Sequence, residues 1–241
     1  MNTIDTLFPS SLDGAENAPA GRKFHYQMTQ QCAFQHLLTC YREEVEALGG
    51  AFQETDSILT DIRLVAEWLT DTSRRPWLVL GGDFGLGKTT MLFAIKRLGK
   101  KAKEACRHGA ESASWRGEAE LSRAYRAGIY LHRVPAIITA QNLAKWASKQ
   151  DAAAIFEAAL NEPLLAIDEL GTEPVVVNLY GTEKTPLVEL LAARYESRLP
   201  TLITTNLGPD GIAERYGERI ADRLREIADA IGFEGDSFRG R

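Results

Sequence analysis

Residues 82–89 read GDFGLGKT, a glycine-rich turn that ends in lysine and threonine. The apolar run Trp77-Leu78-Val79-Leu80 precedes it, and Met91-Leu92-Phe93-Ala94-Ile95 follows with helical character. The pattern GxxxxGK[ST] set between a strand and a helix is a phosphate-binding loop, and few folds accommodate it. Gly82, Gly85 and Gly87 let the backbone turn tightly and aim its amides inward. The loop from Gly82 through Asp83, Phe84, Gly85, Leu86, Gly87, Lys88, Thr89 and Thr90 is therefore expected to cradle a phosphate chain. The helix that starts there adds the positive end of its dipole. Lys88 is expected on the β- and γ-phosphates and the Thr89 hydroxyl on magnesium. A glycine-rich turn that binds nothing would not need the lysine, the threonine, the strand and the helix together.

At 241 residues the chain suits one large domain, or one domain with a small appendage, and can bury a substantial core. It has no run of about 18 apolar residues, so no membrane span is expected. Its first 23 residues lack a charged-then-apolar order, so no secretory signal is expected. They read as a flexible arm, and the protein as cytoplasmic. The net charge of −5 excludes wholesale attraction to nucleic acid but allows a local basic patch. Cys32, Cys40 and Cys106 lack CxxC spacing, which suits a reducing compartment. Cys32, His36 and Cys40 recur at i, i+4 and i+8 along about 12 Å of helix, too far for one tetrahedral zinc, so buried apolar cysteines are the better reading.

Helices are expected over residues 27–48, stopped by Gly49-Gly50, and over 56–70, capped by Thr55 or Asp56. The phosphate-loop helix should run to about Arg107. A long polar connection, 108–128, carries Trp115 and Tyr125 as isolated aromatics. Strand-like runs follow at Val134–Thr139, Leu164–Ile167, Thr201–Thr205 and, weakly, Ile231–Phe233. Helical patterns at Gln141–Lys149, Asp151–Leu160, Thr185–Arg198 and Gly217–Ala228 fill the gaps. The alternation predicts an α/β fold, a mainly parallel sheet with helices on both faces.

Asp168-Glu169 stand at the C-terminal end of the apolar run in LLAIDELG, where open α/β sheets bind ligands. Asp168 is suited to hold magnesium, and Glu169 to polarise a water for attack on the γ-phosphate. Asn206, which ends the next strand, can orient that water or contact the γ-phosphate, although asparagine also simply begins turns. Arg219 and Arg223 lie at i and i+4 in YGERIADRLRE. Arginine stabilises charge on a transferring phosphate, but surface ion pairs with Glu218, Asp222 and Glu226 are the plainer use.

Taken in order, GDFGLGKTT, LLAIDELGTEP, ARYESRLPTLITTNL, YGERIADRLRE and DSFR resemble AAA+ ATPases of the DnaC helicase-loader and IstB-like transposition-helper group. The likeness covers residues from about 60 to 241, and TEPVVVNLYGTEKTPLVELLAARYESRLPT looks like loaders of mobile elements and phages. It implies an AAA+ P-loop NTPase using ATP and Mg2+, with Asp168 and Glu169 as the Walker B pair and Asn206 at sensor 1. It further implies Arg223 as an arginine finger that completes a neighbour's site, Arg219 as a weaker alternative, and Arg239 as sensor 2. Such proteins work as self-oligomers on single-stranded or duplex DNA, with a replicative helicase or a transposase as partner. Residues 1–55 lack the cysteine cluster that some loaders carry.

The resulting expectation is a DNA-binding, ATP-hydrolysing helicase loader. The alternatives are a transposition accessory ATPase, a nucleotide-gated scaffold with negligible turnover, and a small-molecule kinase. Residues 1–55 are expected to form a helical, partner-binding extension, with 56–241 as the AAA+ ATPase domain. Leu37, Leu38, Tyr41, Val45 and Leu48 are a possible contact face, unless they pack on the protein's own core. For DNA contact, Lys96, Arg97, Lys100, Lys101, Lys103 and Arg107 form the densest basic run, without interleaved stacking aromatics. Lys145, Trp146 and Lys149 are a second candidate.

Overall fold

The structure is a computed structural model that describes residues 25–26, 28–108, 134–147, 153–179 and 181–234. Strands β1 (Trp77–Gly81), β2 (Ala136–Thr139), β3 (Leu165–Leu170), β6 (Thr201–Thr205) and β7 (Ala228–Gly232) form one parallel sheet in the order β2-β3-β6-β1-β7. β4 (Val177–Leu179) and β5 (Thr182–Lys184) form a separate antiparallel hairpin. The helices are α1 (Gln30–Ala47), α2 (Asp56–Thr70), α3 (Lys88–His108), α4 (Ala140–Ala147), α5 (Ala153–Asn161), α6 (Pro186–Glu196), α7 (Pro209–Tyr216) and α8 (Glu218–Ile227).

Successive strand residues face opposite sides, and the two sides bury different cores. Leu78, Leu80, Ala166, Leu202 and Ile231 join α1, α2 and α3 on one face. Trp77, Leu165, Ile167, Ile203 and Ala228 join α4 to α8 on the other. Strands buried on both faces read as unbroken apolar runs, which is why β1, β3 and β6 are conspicuous in the sequence. β7 is an edge strand and carries Asp229, which accepts from the Arg75 amide at 3.1 Å, so its apolar pattern is weak.

Capping matches the sequence reading for α2, where the Thr55 hydroxyl accepts from the Ile58 amide at 3.3 Å. Helix α1 begins later than the apolar periodicity implies, because Thr29 caps it by accepting from the Cys32 amide. The expected boundary at residue 55 is not a break in packing. Leu37, Cys40 and Tyr41 of α1 share a core with α2, α3 and β1. Glu43 and Glu44 of α1 take Lys101 and Arg97 of α3 at 2.6 Å each. Of the face considered for a partner, Leu37 and Tyr41 are buried, Leu38 and Val45 pack against the core, and only Leu48 is fully exposed, at 79%.

Cys32, His36 and Cys40 are buried, and no metal-holding cluster of His, Cys, Asp and Glu exists among the described residues. Burial pushes the Cys40 thiol up to about 12, so it stays protonated and unreactive. No helix among the described residues is long and apolar enough to cross a membrane. The first 23 residues, expected to form an arm, most of the 108–128 connection, Lys149, Arg239 and the side chains of Cys106 and Arg107 lie outside what is described.

Candidate functional site

The phosphate loop leaves β1 and enters α3, and two of its glycines are fixed by what stands beside them. Gly82 has φ +132°, and a Cβ there would lie 2.4 Å from the Phe233 carbonyl oxygen. Gly87 has φ +87°, and its Cβ would lie 2.0 Å from the Tyr41 hydroxyl oxygen. A side chain at Gly82 would have to displace the Phe233 backbone, and one at Gly87 would have to move the Tyr41 ring.

Lys88 is 7% exposed, and its Nζ donates to the Gly82 and Asp83 carbonyls at 2.7 and 2.6 Å. It lies folded over the loop that it would share with a phosphate chain. The Thr89 hydroxyl donates to Asp168 Oδ1 at 2.9 Å, and Thr204 of β6 donates to the same oxygen at 2.6 Å. The Glu169 amide donates to the Thr204 hydroxyl at 2.8 Å. β6 lies between β1 and β3, so Thr204 ties the acid pair to the strand nearest the phosphate loop.

The pairing of β3 with β6 shifts register between Ile167 and Leu170, and Glu169 has φ +58°. A left-handed glutamate costs about 1–2 kcal/mol, and the bulge turns its side chain out of the sheet's alternation. Asp168 is thereby buried against Thr89, while Glu169 faces a cavity of about 610 Å³.

That cavity brings together Phe84, Gly85, Leu86, Gly87, Lys88, Thr89, Thr90, Glu169 and Asn206, as the sequence predicts. Gly82 and Asp83 stand behind it as acceptors for Lys88. Arg223 is not among the lining residues. Its guanidinium lies 3.2 Å from Glu196 Oε1 and 4.7 Å from the Tyr195 ring centroid. Arg219 is exposed on α8.

The other wall of the cavity is absent from the sequence reading: Tyr41 and Val45 of α1, Leu48 and Gly50 to Gln53 after it, and Ile58 of α2. Phe52 is braced there, edge-on to Tyr41 with ring centroids 6.0 Å apart and under the Arg42 guanidinium at 5.2 Å. A phosphate loop opposite an apolar, aromatic wall fits a nucleotide lengthwise. The Gly49-Gly50 helix stop, taken as punctuation, is what folds this segment back over the loop.

Thr89 and Asp168 offer hard oxygen donors beside the phosphate loop, the chemistry that magnesium takes. Magnesium held by them and by phosphate oxygens would neutralise charge on the phosphates when bound.

Asp61 is buried behind this wall, and its carboxyl is pushed up to about 7, first by burial and then by the charge of Glu234. A carboxyl whose folded value is raised binds its proton more tightly when folded. Its contribution is full below the ordinary carboxylate value near 4 and is lost as pH rises toward 7. Asp61→Asn, which cannot ionise, is expected to be about 2–4 kcal/mol more stable than wild type at pH 8, with the gap closing toward pH 4. Urea melts across that range check it; a gap independent of pH contradicts it.

The strand order, the phosphate loop after β1 and the acid pair ending β3 define a parallel α/β fold with a phosphate-binding loop. No family model matches the chain, and no curated protein matches it. Among solved structures it is similar to DnaI, at 22% identity and a TM-score of 0.49, over 82% of this chain and 93% of that one. It is also similar to the DnaC helicase loader, at 18% identity and a TM-score of 0.42, over 76% and 93%. A third is AMPPCP-bound DnaA from Aquifex aeolicus, at 16% identity and a TM-score of 0.45, over 77% and 49%.

Proposed function

We propose that this protein is a magnesium-dependent ATPase that acts in the cytoplasm as a loader, delivering a DnaB-type replicative helicase onto DNA. The observation that carries the ATPase reading is the set at one cavity end: Lys88 and Thr89 on the loop, Asp168 bonded to Thr89, and Glu169 facing the space a γ-phosphate would fill. A scaffold that only binds nucleotide needs no water-activating carboxylate there. The loader reading is supported by the order and spacing of the five motif segments. In it, Asn206 orients the attacking water and Arg239 contacts nucleotide within its own subunit. Residues 1–55 supply one cavity wall and contribute to partner contact. The test is capture of the host's replicative helicase by the full chain in the presence of ATP. Capture of a transposase instead would replace this reading with that of an IstB-like transposition accessory ATPase.

Arg223 belongs to this reading as a residue donated to a neighbouring subunit. It is 15% exposed, so it must leave Tyr195 and Glu196 to reach another site. Arg223→Ala is expected to bind ATP nearly normally and to lose most turnover. Mixing it with Glu169→Gln should restore part of the activity at mixed interfaces. Sedimentation showing only monomer with ATP and DNA would remove the trans role.

A further inference from the structure

The basic run on α3 divides into two sides. Arg97 and Lys101 face α1, where Glu43 and Glu44 neutralise them. Lys96 and Lys100 lie on another side and form no ion pair among the described residues. Phe93 precedes them at i−3 and i−7 and is 41% exposed, a large aromatic ring on a solvent-facing helix surface. At 1.5 Å per residue, ring and ammonium groups are strung along about 10 Å of one helix face.

This arrangement is electrostatically incomplete. The Lys96 ammonium is held below the usual lysine range, first by burial and then by Lys100 one turn away. Two uncompensated cations i and i+4 apart repel, and an anion bridging them relieves that repulsion. A free phosphate or acidic peptide would use the lysines and leave the ring idle. A single strand carries both partners, phosphates for the ammoniums and an unpaired base for the ring.

We propose that Phe93, Lys96 and Lys100 form a contact site for single-stranded nucleic acid on the outer face of α3. This rests on the DNA-binding part of the proposed function and assigns residues to it. Because α3 begins at Lys88 and Thr89, the strand would lie on the same rigid helix that holds the nucleotide phosphates.

The test uses the full chain and a fluorescent oligothymidine, read by anisotropy across a salt series. Lys96→Gln with Lys100→Gln should weaken binding at least tenfold and reduce the salt slope by about 1.4. Phe93→Leu, which keeps an apolar side chain and removes the ring, should weaken binding about fivefold or more with the slope unchanged. Binding of a fluorescent ATP analogue should not change in either variant, which shows that the domain is folded. If wild type binds and the lysine variant binds equally well with the same slope, the site assignment is overturned. Wild-type affinity in Phe93→Leu removes the stacking role and overturns the three-residue site. If the wild-type chain binds no oligonucleotide at any salt, the DNA-binding reading itself fails. Loss of helicase capture with oligonucleotide binding intact would make the face a protein surface and overturn the proposal.

Discussion

Glu169→Gln is expected to bind ATP as wild type does and to cleave it about 100-fold or more slowly. The substitution keeps the size and one oxygen of the side chain, and the left-handed backbone at 169 is as accessible to glutamine as to glutamate. What it removes is the capacity to take a proton from the attacking water. Lys88→Ala should fail differently, by losing nucleotide affinity, because a charge-assisted phosphate contact disappears. Measuring fluorescent-nucleotide binding and phosphate release for both variants separates the two roles. A Glu169→Gln chain that turns over ATP at the wild-type rate would refute the assignment of Glu169.

The second large effect is on stability. Arg194 of α6 has no exposed surface. Its guanidinium donates to the carbonyls of Ala159, Leu160, Glu162 and Pro200 and to the Thr201 hydroxyl, at 2.8–3.2 Å. One side chain thus binds the end of α5 to the start of β6, the strand that carries Thr204 and leads to Asn206. Arg194→Met fills similar volume and abandons those acceptors without water. It is expected to cost about 3–5 kcal/mol. Arg194→Lys should recover little, since an ammonium offers three donors without the planar fork. Urea melts that place the Met variant within about 0.5 kcal/mol of wild type would contradict this.

Arg194 also shows where the sequence is silent. An arginine in ARYESR reads as solvated, because nothing local announces that five acceptors from two separate segments converge on it. The phosphate loop, Asp168, Glu169 and Asn206 were legible because their chemistry is tied to strand ends that announce themselves as apolar runs. Phe52 and Tyr41 were not, because a nucleotide wall made from a different helix and loop leaves no spacing pattern. The hairpin of β4 and β5 escaped notice since three-residue strands have no periodicity to read. Helix α7 was missed because Pro209 and Gly211 look like loop residues, although proline at a first turn suits a helix start. The basic run of α3 was visible as composition, but its division into a neutralised side and an open side depends on which face α1 covers.

Two of the three phosphate-loop glycines are hemmed in by segments far apart in sequence. Tyr41, near the amino terminus, abuts Gly87, while the Phe233 carbonyl, beyond the last strand, abuts Gly82. The Phe233 amide also donates to the Gly81 carbonyl at 2.8 Å. Both segments therefore take part in any equilibrium by which the phosphate loop binds a nucleotide. Thermodynamic reciprocity then fixes the terms of communication. In the proposed ATPase, a ligand that displaces Tyr41 or Phe233 and so alters ATP affinity by some factor has its own affinity altered by ATP by the same factor. No separate relay across the sheet is required, because the phosphate loop is the place where these two segments meet.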